Sequence, residues 1–396
     1  MKSEVKDLIK NLSRQFHSFY VYDLDQVRTQ LDSLNLPKNV KVYYAMKAND
    51  DYRILDTVLH HPRIEGIEIA SRGEAEKVLN HKDSLAEVVY TGPGKRPDEL
   101  EFVLDKGIRF LNIESLTEAY RIQNLAKRVQ PVLLRLNTNK EIHGAATRMS
   151  TIDEPTPFGF PEDEALEVIK KIKSLNRLFL QGLHIFGASG VLEAKDLLDY
   201  TDYSLGLARK IEKDSHNNFP TLDFGGGLGV DYESKRKFDI LFFSKGLELL
   251  IKKHKMQDKT LLFELGRYIV ADSGYFCTKI NDIKLSHGKK ILVCTAGTNA
   301  HRRPYAMKIN YPTEILNLGE KYLYDGQLSA KNESVQVRGP LCTMADVLSY
   351  NTYIKKAEIG DFVVQRKAGA YGADMSHKDF LSHDEVPEFV IGEKRW

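Results

Sequence analysis

Short apolar runs alternate with amphipathic stretches over the first two thirds of the chain. Eight runs have the length and composition of strands, and in chain order they are KVYYAM, GIEIAS, EVVYTG, RFLNIE, VLLRLN, LQGLHIF, TLDFGGG and LLFELG. Helix-like stretches such as YRILDTVLHH and DEALEVIKKIKSL separate most of them. Eight strand–helix units over about 240 residues predict a closed (β/α)₈ barrel. An open doubly wound sheet is the alternative, disfavoured because no G-x-G-x-x-G follows the first strand.

The pattern changes near residue 268. Later apolar runs are typical of strands without long helical periods between them, and they include YIVADSGYFCTKINDIKLS, KKILVCTAG, SVQVRGPLC and DFVVQRKAGAY. We therefore predict two domains. Residues 25–267 form the barrel, and residues 268–396 form a mostly β C-terminal domain that also takes in residues 1–24 with the strand-like SFYVYDL.

Composition and charge narrow the class of protein. Lys plus Arg (57) nearly balance Asp plus Glu (55), so no net field attracts nucleic acid or an anionic membrane. No apolar run approaches the ~18 residues of a membrane span, and the charged start MKSEVKDLIKNLSRQF does not resemble a signal peptide. Cys277, Cys294 and Cys342 have neither metal-ligand spacing nor the number for a disulfide framework. We expect a cytoplasmic protein without a metal site.

Candidate reactive side chains stand at the ends of four predicted strands, where a (β/α)₈ barrel collects its functional groups. They are Lys47 after the first strand, His184 and Phe186 on one face of the sixth, Gly225-Gly226-Gly227 after the seventh, and Glu264 with Arg267 at the eighth. Each has an ordinary explanation: a lysine reaching solvent, a structural histidine, a tight turn or an ion pair. Their shared position at strand ends favours a function.

These residue types together match one cofactor. A lysine amine can hold an aldehyde as a Schiff base. A glycine turn lets backbone N–H groups approach a phosphate. A carboxylate beside a pyridine nitrogen keeps that nitrogen protonated, and a flat side chain can stack on the ring. Aldehyde, phosphate and pyridine describe pyridoxal 5′-phosphate (PLP). A cofactor-free aldolase using Lys47 is a weaker reading, because it leaves Glu264 and the second domain without a role.

Five ordered motifs, spread over nearly the whole chain, resemble those of the alanine-racemase-fold (fold type III) PLP decarboxylases, the group of the diaminopimelate and ornithine decarboxylases. They are YYAMKAN, LDFGGGLGVDY, FELGR, RGPLCTMADVL and KAGAYGADMS. The resemblance implies a PLP-binding barrel followed by a β domain. It also implies a head-to-tail homodimer with active sites at the interface.

The resemblance also implies individual roles. Lys47 would be the Schiff-base lysine, and Glu264 would pair with the pyridine nitrogen. Cys342 would be the acid that protonates the α-carbon, reaching into the partner subunit's site. The phosphate would be held by Gly227, Ser189, Gly266, Arg267 and Tyr371. Where diaminopimelate decarboxylases carry a second histidine on the sixth strand, this chain has Phe186. We therefore expect Phe186 to cover the ring, with His184 nearby.

A further departure concerns the substrate. The family places an acidic residue after the interface cysteine to pair with a distal amine, and here that residue is Thr343. A distal ammonium would be poorly paired. Arg303 of NAHRRPYAMK aligns with an arginine that binds a distal carboxylate, although a basic cluster can also be a solvated loop. These features resemble the siderophore branch and favour a citryl-linked ornithine or diamino acid, with Arg303, Thr343 and Asp346 as substrate-binding residues.

Three alternatives stay open. The first is decarboxylation of a free basic amino acid, ornithine or diaminopimelate. The second is an amino-acid racemase, disfavoured because racemases of this fold place an arginine where this chain has Glu264. The third is a non-catalytic PLP-binding protein, against which the presence of both Lys47 and Cys342 weighs.

Overall fold

The computed structural model describes residues 1–142, 144–145, 147–148, 155–233, 235–318 and 324–392. These residues form two compact units. The barrel unit lies within Gln30–Val230 and Lys237–Tyr268, and the β unit lies within Met1–Thr29, Asp231–Arg236 and Ile269–Trp396. In the described ranges, no helix combines the length and the apolar character that crossing a membrane requires. The domain limits drawn from the sequence, 25–267 and 268–396 with 1–24, stay a prediction.

The strands of the described residues, in chain order, are β1 (Ser18–Asp23), β2 (Val40–Ala45), β3 (Ile64–Ile69), β4 (Val88–Tyr90), β5 (Phe110–Ile113), β6 (Gln130–Asn137), β7 (Thr147–Arg148), β8 (Phe160–Pro161), β9 (Leu178–Ile185), β10 (Ala188–Ser189), β11 (Thr221–Asp223), β12 (Thr260–Leu265), β13 (Gly274–Ser286), β14 (Lys289–Cys294), β15 (Thr313–Leu316), β16 (Ala330–Arg338), β17 (Val347–Ala357), β18 (Phe362–Arg366) and β19 (Glu388–Ile391). The α-helices are α1 (Ser3–Leu12), α2 (Leu24–Asp32), α3 (Tyr52–Leu59), α4 (Arg72–Leu79), α5 (Pro97–Asp105), α6 (Leu116–Leu125), α7 (Ala165–Lys173), α8 (Ala194–Ser215), α9 (Ile240–Lys253), α10 (Arg267–Val270) and α11 (Arg303–Met307).

Eight parallel strands close into the barrel, which confirms the predicted fold. The order around it is β2, β3, β4, β5, β6, β9, β11 and β12, and β12 pairs back onto β2. Each of the eight apolar runs in the sequence overlaps one of these strands. Because all strands are parallel, their carboxyl ends meet at one face of the barrel. That face collects the side chains described below.

Large apolar side chains fill the barrel interior. Tyr43, Val89, Phe110, Leu133 and Leu262 come from five strands and form one buried cluster. This packed interior explains why the strand runs are apolar on both faces, since the helices cover the outside. A Leu133→Ala change would remove contacts here and cost about 2–5 kcal/mol of stability.

Side-chain caps fix the loops that follow β3 and β5. Ser71 accepts a hydrogen bond from the backbone N–H of Glu74 at 3.1 Å, and α4 begins there. Ser115 accepts from the N–H of Glu118 at 3.1 Å at the start of α6. Both are S-x-x-E sequences, which is the signature of a capping box. The caps, worth about 1 kcal/mol each, set where the chain turns after strands that carry site residues.

The β unit is built on an eight-stranded sheet. Its central path is β15, β18, β13, β14, β16 and β17, while β1 pairs with both β13 and β19. The N-terminal strand therefore belongs to the β unit, as predicted. Helix α1 covers one face with Val5 and Ile9, which pack into a cluster containing Phe19, Cys277 and Phe362.

Several elements of the β unit differ from the sequence expectation. Residues 267–270 form the short helix α10 rather than the start of a strand, so β13 begins only at Gly274. Strands β15, β17 and β19 and helix α11 were not predicted. Strand β17 has three buried residues followed by a mostly exposed or half-buried stretch with two lysines and two tyrosines, a pattern that the apolar-run criterion does not detect.

Candidate active site

Lys47 follows β2 directly, in the 3₁₀ turn Met46–Ala48. Its Nζ donates to both carboxylate oxygens of Glu68, at 2.8 and 2.7 Å. Glu68 lies on the adjacent strand β3, where it pairs with Ala45, and it is 0% exposed, whereas the Lys47 side chain is 42% exposed. A buried carboxylate therefore holds the amine of a side chain that stays partly exposed. Glu68 was not among the predicted residues, although a glutamate inside the apolar run GIEIAS is a visible signal.

Three titratable side chains from neighbouring strands meet inside the same end of the barrel. They are His184 of β9, Asp223 of β11 and Glu264 of β12. One ring nitrogen of the histidine and one carboxylate oxygen of each acid lie within 4.8 Å of one another. His184 Nε2 lies 4.0 Å from Glu264 Oε2. Thr91 donates to Glu264 Oε1 at 3.3 Å and itself accepts from the Asn112 amide at 2.8 Å.

Burial governs the protonation of this cluster. It raises the pKa of Glu264 well above its usual value, and the neighbouring carboxylates of Asp223 and Glu68 raise it further. Burial likewise raises the pKa of Asp223 to about 7. Burial lowers the pKa of His184 well below its usual value, with Arg135 and Lys47 adding to the effect, so the imidazole is neutral. The cluster thus favours protonated acids beside a neutral ring.

His184 and Phe186 lie side by side, as their two-residue spacing predicts. Their ring centroids are 6.4 Å apart and the planes are inclined by 13°. Both ring nitrogens of His184 are buried without a hydrogen-bond partner among the described residues. An unpaired buried imidazole is costly, and it points to a polar group that the protein itself does not supply.

The triple glycine after β11 forms a turn that larger residues would block. A Cβ on Gly226 would lie 2.7 Å from the Glu264 carbonyl oxygen, and Gly227 has a φ of +120°. The turn is fixed by a hydrogen bond from the Gly225 N–H to Asp223 Oδ1 at 2.8 Å. It lets the backbone approach closely, which is the property that an anion-binding turn needs.

Arg267 and Ser189 meet beside this turn within the barrel unit. Arg267 Nη2 donates to Ser189 Oγ at 3.3 Å, and Arg267 is buried. Gly266, which precedes it, has no room for a side chain because a Cβ would lie 2.7 Å from Ala48 Cβ. The structure therefore places a cation, a hydroxyl and small residues together at the ends of β10 and β12.

A second set of buried charges was not predicted. Arg135 of β6 donates from Nη1 to both oxygens of Glu114 at 3.0 Å, and Glu114 also accepts from the Gly92 N–H at 2.7 Å. Lys95 donates to Glu118 at 2.7 Å. All four side chains are buried. Each charge has an opposite partner, which is the condition for keeping such groups inside a barrel.

The remaining predicted residues belong to the β unit. Tyr371 and Tyr232 present their rings to the guanidinium carbon of Arg303, at 5.1 and 5.3 Å. Arg303 is 5% exposed, its Nε has no hydrogen-bond partner, and no ion pair joins it to an acid of the described residues. Its charge is buried on aromatic faces without a counter-ion, an arrangement that favours an external anion.

Cys342 and Thr343 occupy the tip of the loop between β16 and β17. Both are exposed, while Leu341 and Asp346 at the two ends of the tip are buried. The two other cysteines, Cys277 and Cys294, are buried, and burial raises the pKa of both thiols. Cys342 is thus the one exposed thiol of the described residues.

The chemistry of these groups fits PLP. Lys47 offers an amine, the glycine turn with Arg267 and Ser189 offers an anion cradle, and His184 carries unpaired nitrogens in a buried ring. His184, Asp223 and Glu264 could instead ligate a metal ion by their spacing. The amine of Lys47 suits a cofactor with a carbonyl group better than a metal ion, so it favours PLP.

Comparison with known proteins places these features in a family. Residues 24–271 match the model described as pyridoxal-dependent decarboxylase, pyridoxal binding domain. The chain is 33% identical to the Staphylococcus aureus 2-[(L-alanin-3-ylcarbamoyl)methyl]-2-hydroxybutanedioate decarboxylase, over 98% of this chain and 97% of that protein. It is 28% identical to the L-glutamyl-[BtrI acyl-carrier protein] decarboxylase of Niallia circulans, over 96% and 90% of the two chains. The crystal structure of Helicobacter pylori diaminopimelate decarboxylase complexed with L-lysine is similar with a TM-score of 0.84 and 26% identity, covering 98% of this chain and 94% of that one.

Proposed function

The chain belongs to the pyridoxal-dependent decarboxylases, and on that premise we propose that it removes the α-carboxyl group of an amino acid whose side chain carries a polycarboxylate, such as a citryl-linked diamino acid. As a member of this family, the protein is a carboxy-lyase that uses PLP. The substrate, the roles of single residues and the assembly are our proposal.

The barrel unit would hold the cofactor. Lys47 would supply the amine that anchors it, and Glu264 would pair with its ring nitrogen. The anionic group would be held by Gly227, Ser189, Gly266 and Arg267 of the barrel unit, and the assignment of Tyr371 to the same group stays a prediction from the sequence. When bound, PLP supplies an electron sink for the bond that breaks at the α-carbon. Because its pKa is raised, Glu264 keeps its proton to a higher pH than an ordinary glutamate does, while Phe186 offers a flat apolar surface for the ring.

Cys342 would supply the proton that completes the reaction. The bond between the α-carbon and its carboxylate breaks, CO₂ leaves, and the α-carbon takes a proton from the Cys342 thiol. An exposed thiol on a loop tip suits a donor that acts on a site in a second copy of the chain. We accordingly propose a homodimer in which each loop tip completes the partner's site. Such a positioned acid contributes about 10²–10⁴-fold to the rate.

One observation carries the substrate assignment: the buried guanidinium of Arg303 has no acidic partner among the described residues. A buried cation without a counter-ion is strongly disfavoured unless a ligand supplies the anion. Arginine also binds carboxylates in a bidentate manner, which suits a substrate with carboxylates beyond the reacting one.

Thr343 adds the complementary argument. It is the exposed neighbour of Cys342 and carries no charge, so it leaves a distal ammonium group without a counter-ion. An acylated side-chain amine needs none. The Staphylococcus aureus relative is named for a compound in which an alanine side chain is joined through a carbamoyl group to a hydroxybutanedioate. That combination of a neutral link and distal carboxylates supports a place in siderophore biosynthesis. The cytoplasm is the location that we propose for it.

The test compares CO₂ release from α-carboxyl-labelled citryl-2,3-diaminopropionate, citryl-ornithine and free ornithine by the PLP-loaded protein. We expect release chiefly from a citryl compound. In Arg303→Gln the KM for that compound should rise about 10- to 100-fold, because a charged hydrogen-bond pair contributes about 1.5–3 kcal/mol. Arg28→Gln is the matched control, since Arg28 is already paired with Asp25 at 2.7 Å.

Other outcomes would redirect the proposal. Release from free ornithine alone keeps the decarboxylase and removes the polycarboxylate substrate. Equal KM values for wild type and Arg303→Gln would remove Arg303 as the carboxylate reader. Conversion of one enantiomer into the other without CO₂ would indicate a racemase instead.

A further inference from the structure

The loop that carries Cys342 has an exposed tip on a buried anchor. Cys342, Thr343 and Met344 are exposed, whereas Asp346 is 2% exposed. An exposed tip gains little fixed geometry from packing, so its position depends on the anchor. The hydrogen bonds of that anchor converge on one carboxylate.

The Asp346 carboxylate holds backbone groups of two loops. Its Oδ2 accepts from the Leu341 N–H at 2.7 Å, at the start of the cysteine tip. Its Oδ1 accepts from the N–H of Thr298 at 2.6 Å and from the Thr298 hydroxyl at 3.0 Å. Thus both oxygens are occupied by groups of the chain, and each oxygen serves a different loop.

Both loops come unusually close to this carboxylate. A Cβ on Gly297 would lie 2.1 Å from Asp346 Oδ1, and one on Gly339 would lie 2.4 Å from Oδ2. Any side chain at either position would displace the carboxylate, so glycine is required by the approach itself. The Asp346 backbone also holds the cysteine tip, since its N–H donates to the Thr343 carbonyl at 3.3 Å.

The second loop leads directly to the arginines. The N–H groups of Ala300 and His301 donate to the Gly297 carbonyl at 3.0 and 2.8 Å, which makes residues 297–301 a compact turn. Arg303 begins α11 two residues later. A displacement of Thr298 would therefore move the end of the turn from which Arg303 projects.

We propose that Asp346 is a positioning residue that sets the Cys342 tip and the Arg303 turn with a single buried carboxylate. The inference rests on the proposed function, in which Cys342 donates the proton and Arg303 binds a distal carboxylate. It assigns Asp346 a role through other residues, in place of a direct contact with substrate. A shift of either loop would misplace a reacting or binding group, and about 1 Å of misplacement can lower a rate 100-fold.

The test is Asp346→Asn with Asp361→Asn as its matched control. Asp361 is also fully buried in the β unit and accepts backbone N–H groups of Leu318 and Glu358 at 2.8 and 2.9 Å. An amide keeps one acceptor and turns an NH₂ toward a backbone donor at the other. Both variants should lose stability by similar amounts. Differences between them in exchange, kcat or labelling therefore report the positioning of the two loops and not a general loss of stability.

Hydrogen–deuterium exchange gives a readout independent of activity. In Asp346→Asn, exchange should rise in both segments 297–303 and 339–346, whereas in Asp361→Asn it should rise only near 316–318 and 358–361. On the loaded enzyme in ²H₂O, kcat of Asp346→Asn should fall about 10- to 100-fold. The product of Asp346→Asn should be a mixture of molecules that received deuterium on one face of the α-carbon or on the other. Wild type and Asp361→Asn should label one face only.

A milder variant covers the case in which Asp346→Asn does not fold. Thr298→Val removes only the hydroxyl contact and should raise exchange in 297–303. Its KM should rise less than that of Arg303→Gln. Unchanged exchange in either segment of Asp346→Asn, or an unchanged kcat with one-face labelling, would overturn the positioning role. If the wild-type enzyme releases no CO₂ from any test compound, the proposed function fails, while the exchange result still decides whether Asp346 joins the two loops.

Discussion

Lys47 in the barrel unit and Cys342 in the β unit are held in place by different means. Lys47 follows a strand whose neighbours are fixed by a parallel ladder, and its amine is aligned by a fully buried carboxylate on the next strand. Cys342 lies on an exposed tip, and the ends of that tip are fixed by hydrogen bonds to Asp346. One group is positioned by a sheet and the other by a capped loop.

The difference extends to the charge around each group. The barrel end buries Glu68, Asp223 and Glu264 together, and burial raises the pKa of the last two. Clustered acids of this kind reduce stability and are typical of sites where protons are controlled. The Cys342 tip has no such cluster within the described residues, and its anchor is a single buried carboxylate, Asp346, whose two oxygens accept hydrogen bonds from the chain. The barrel end therefore buries several acids side by side, whereas the loop buries one acid with its hydrogen bonds satisfied.

The largest expected effect is at Lys47. Lys47→Ala should lower kcat by about 10⁴-fold, the upper range for one positioned acid–base side chain, and remove the visible absorbance band formed with added PLP. It should also reduce stability, because Glu68 stays buried without its cation. The double variant Lys47→Ala/Glu68→Gln should regain stability without activity. A single variant that keeps its band and its rate would show that another amine anchors the cofactor.

Cys342→Ala is expected to have the next largest effect. We expect kcat to fall about 10²-fold or more while Tm stays within about 1 °C, since exposed substitutions change stability little. Cys277→Ala is the contrasting variant: Cys277 lies in the core cluster of the β unit, so Tm should fall while kcat is kept. Steady-state kinetics and thermal unfolding of both variants measure the contrast. Equal kcat values would remove Cys342 as the acid.

The smallest effect concerns pH and Asp223. Its pKa is raised from 3.8 to about 7 in the folded protein, so the folded state binds a proton that the unfolded state has released. The stability that this proton provides is present below pH ~4 and is lost as pH rises through about 7. Asp223→Asn lacks this dependence. The Tm of cofactor-free Asp223→Asn, measured against wild type, should therefore increase steadily between pH 4 and 8. A difference that is flat or falls with pH would contradict the raised pKa.

The barrel could be predicted from the sequence because the patterns that indicate its strands and helices are local. Each strand run is apolar on both faces, and amphipathic helical stretches separate most of the runs. Sequence reasoning also brought Lys47, His184 and Glu264 to one face, since parallel strands end together. It missed Glu68, Arg135 and Glu114, because a charge within or after an apolar run has no local signature of its partner. Ion pairs between strands depend on register across the barrel.

The sequence by itself determined the eight-stranded barrel, the strand ends that carry the reactive groups, and the family whose motifs this chain shares. Only the tertiary structure decided which charges are paired. It set Lys47 against Glu68 and turned Asp346 toward the backbones of two loops. It also left Arg303 on two aromatic rings with no acid of the described residues beside it. The physical reason is that hydrophobic periodicity is a property of residues that are neighbours in the sequence. Charge pairing and pKa arise from side chains that are distant in sequence and brought together in a dry interior.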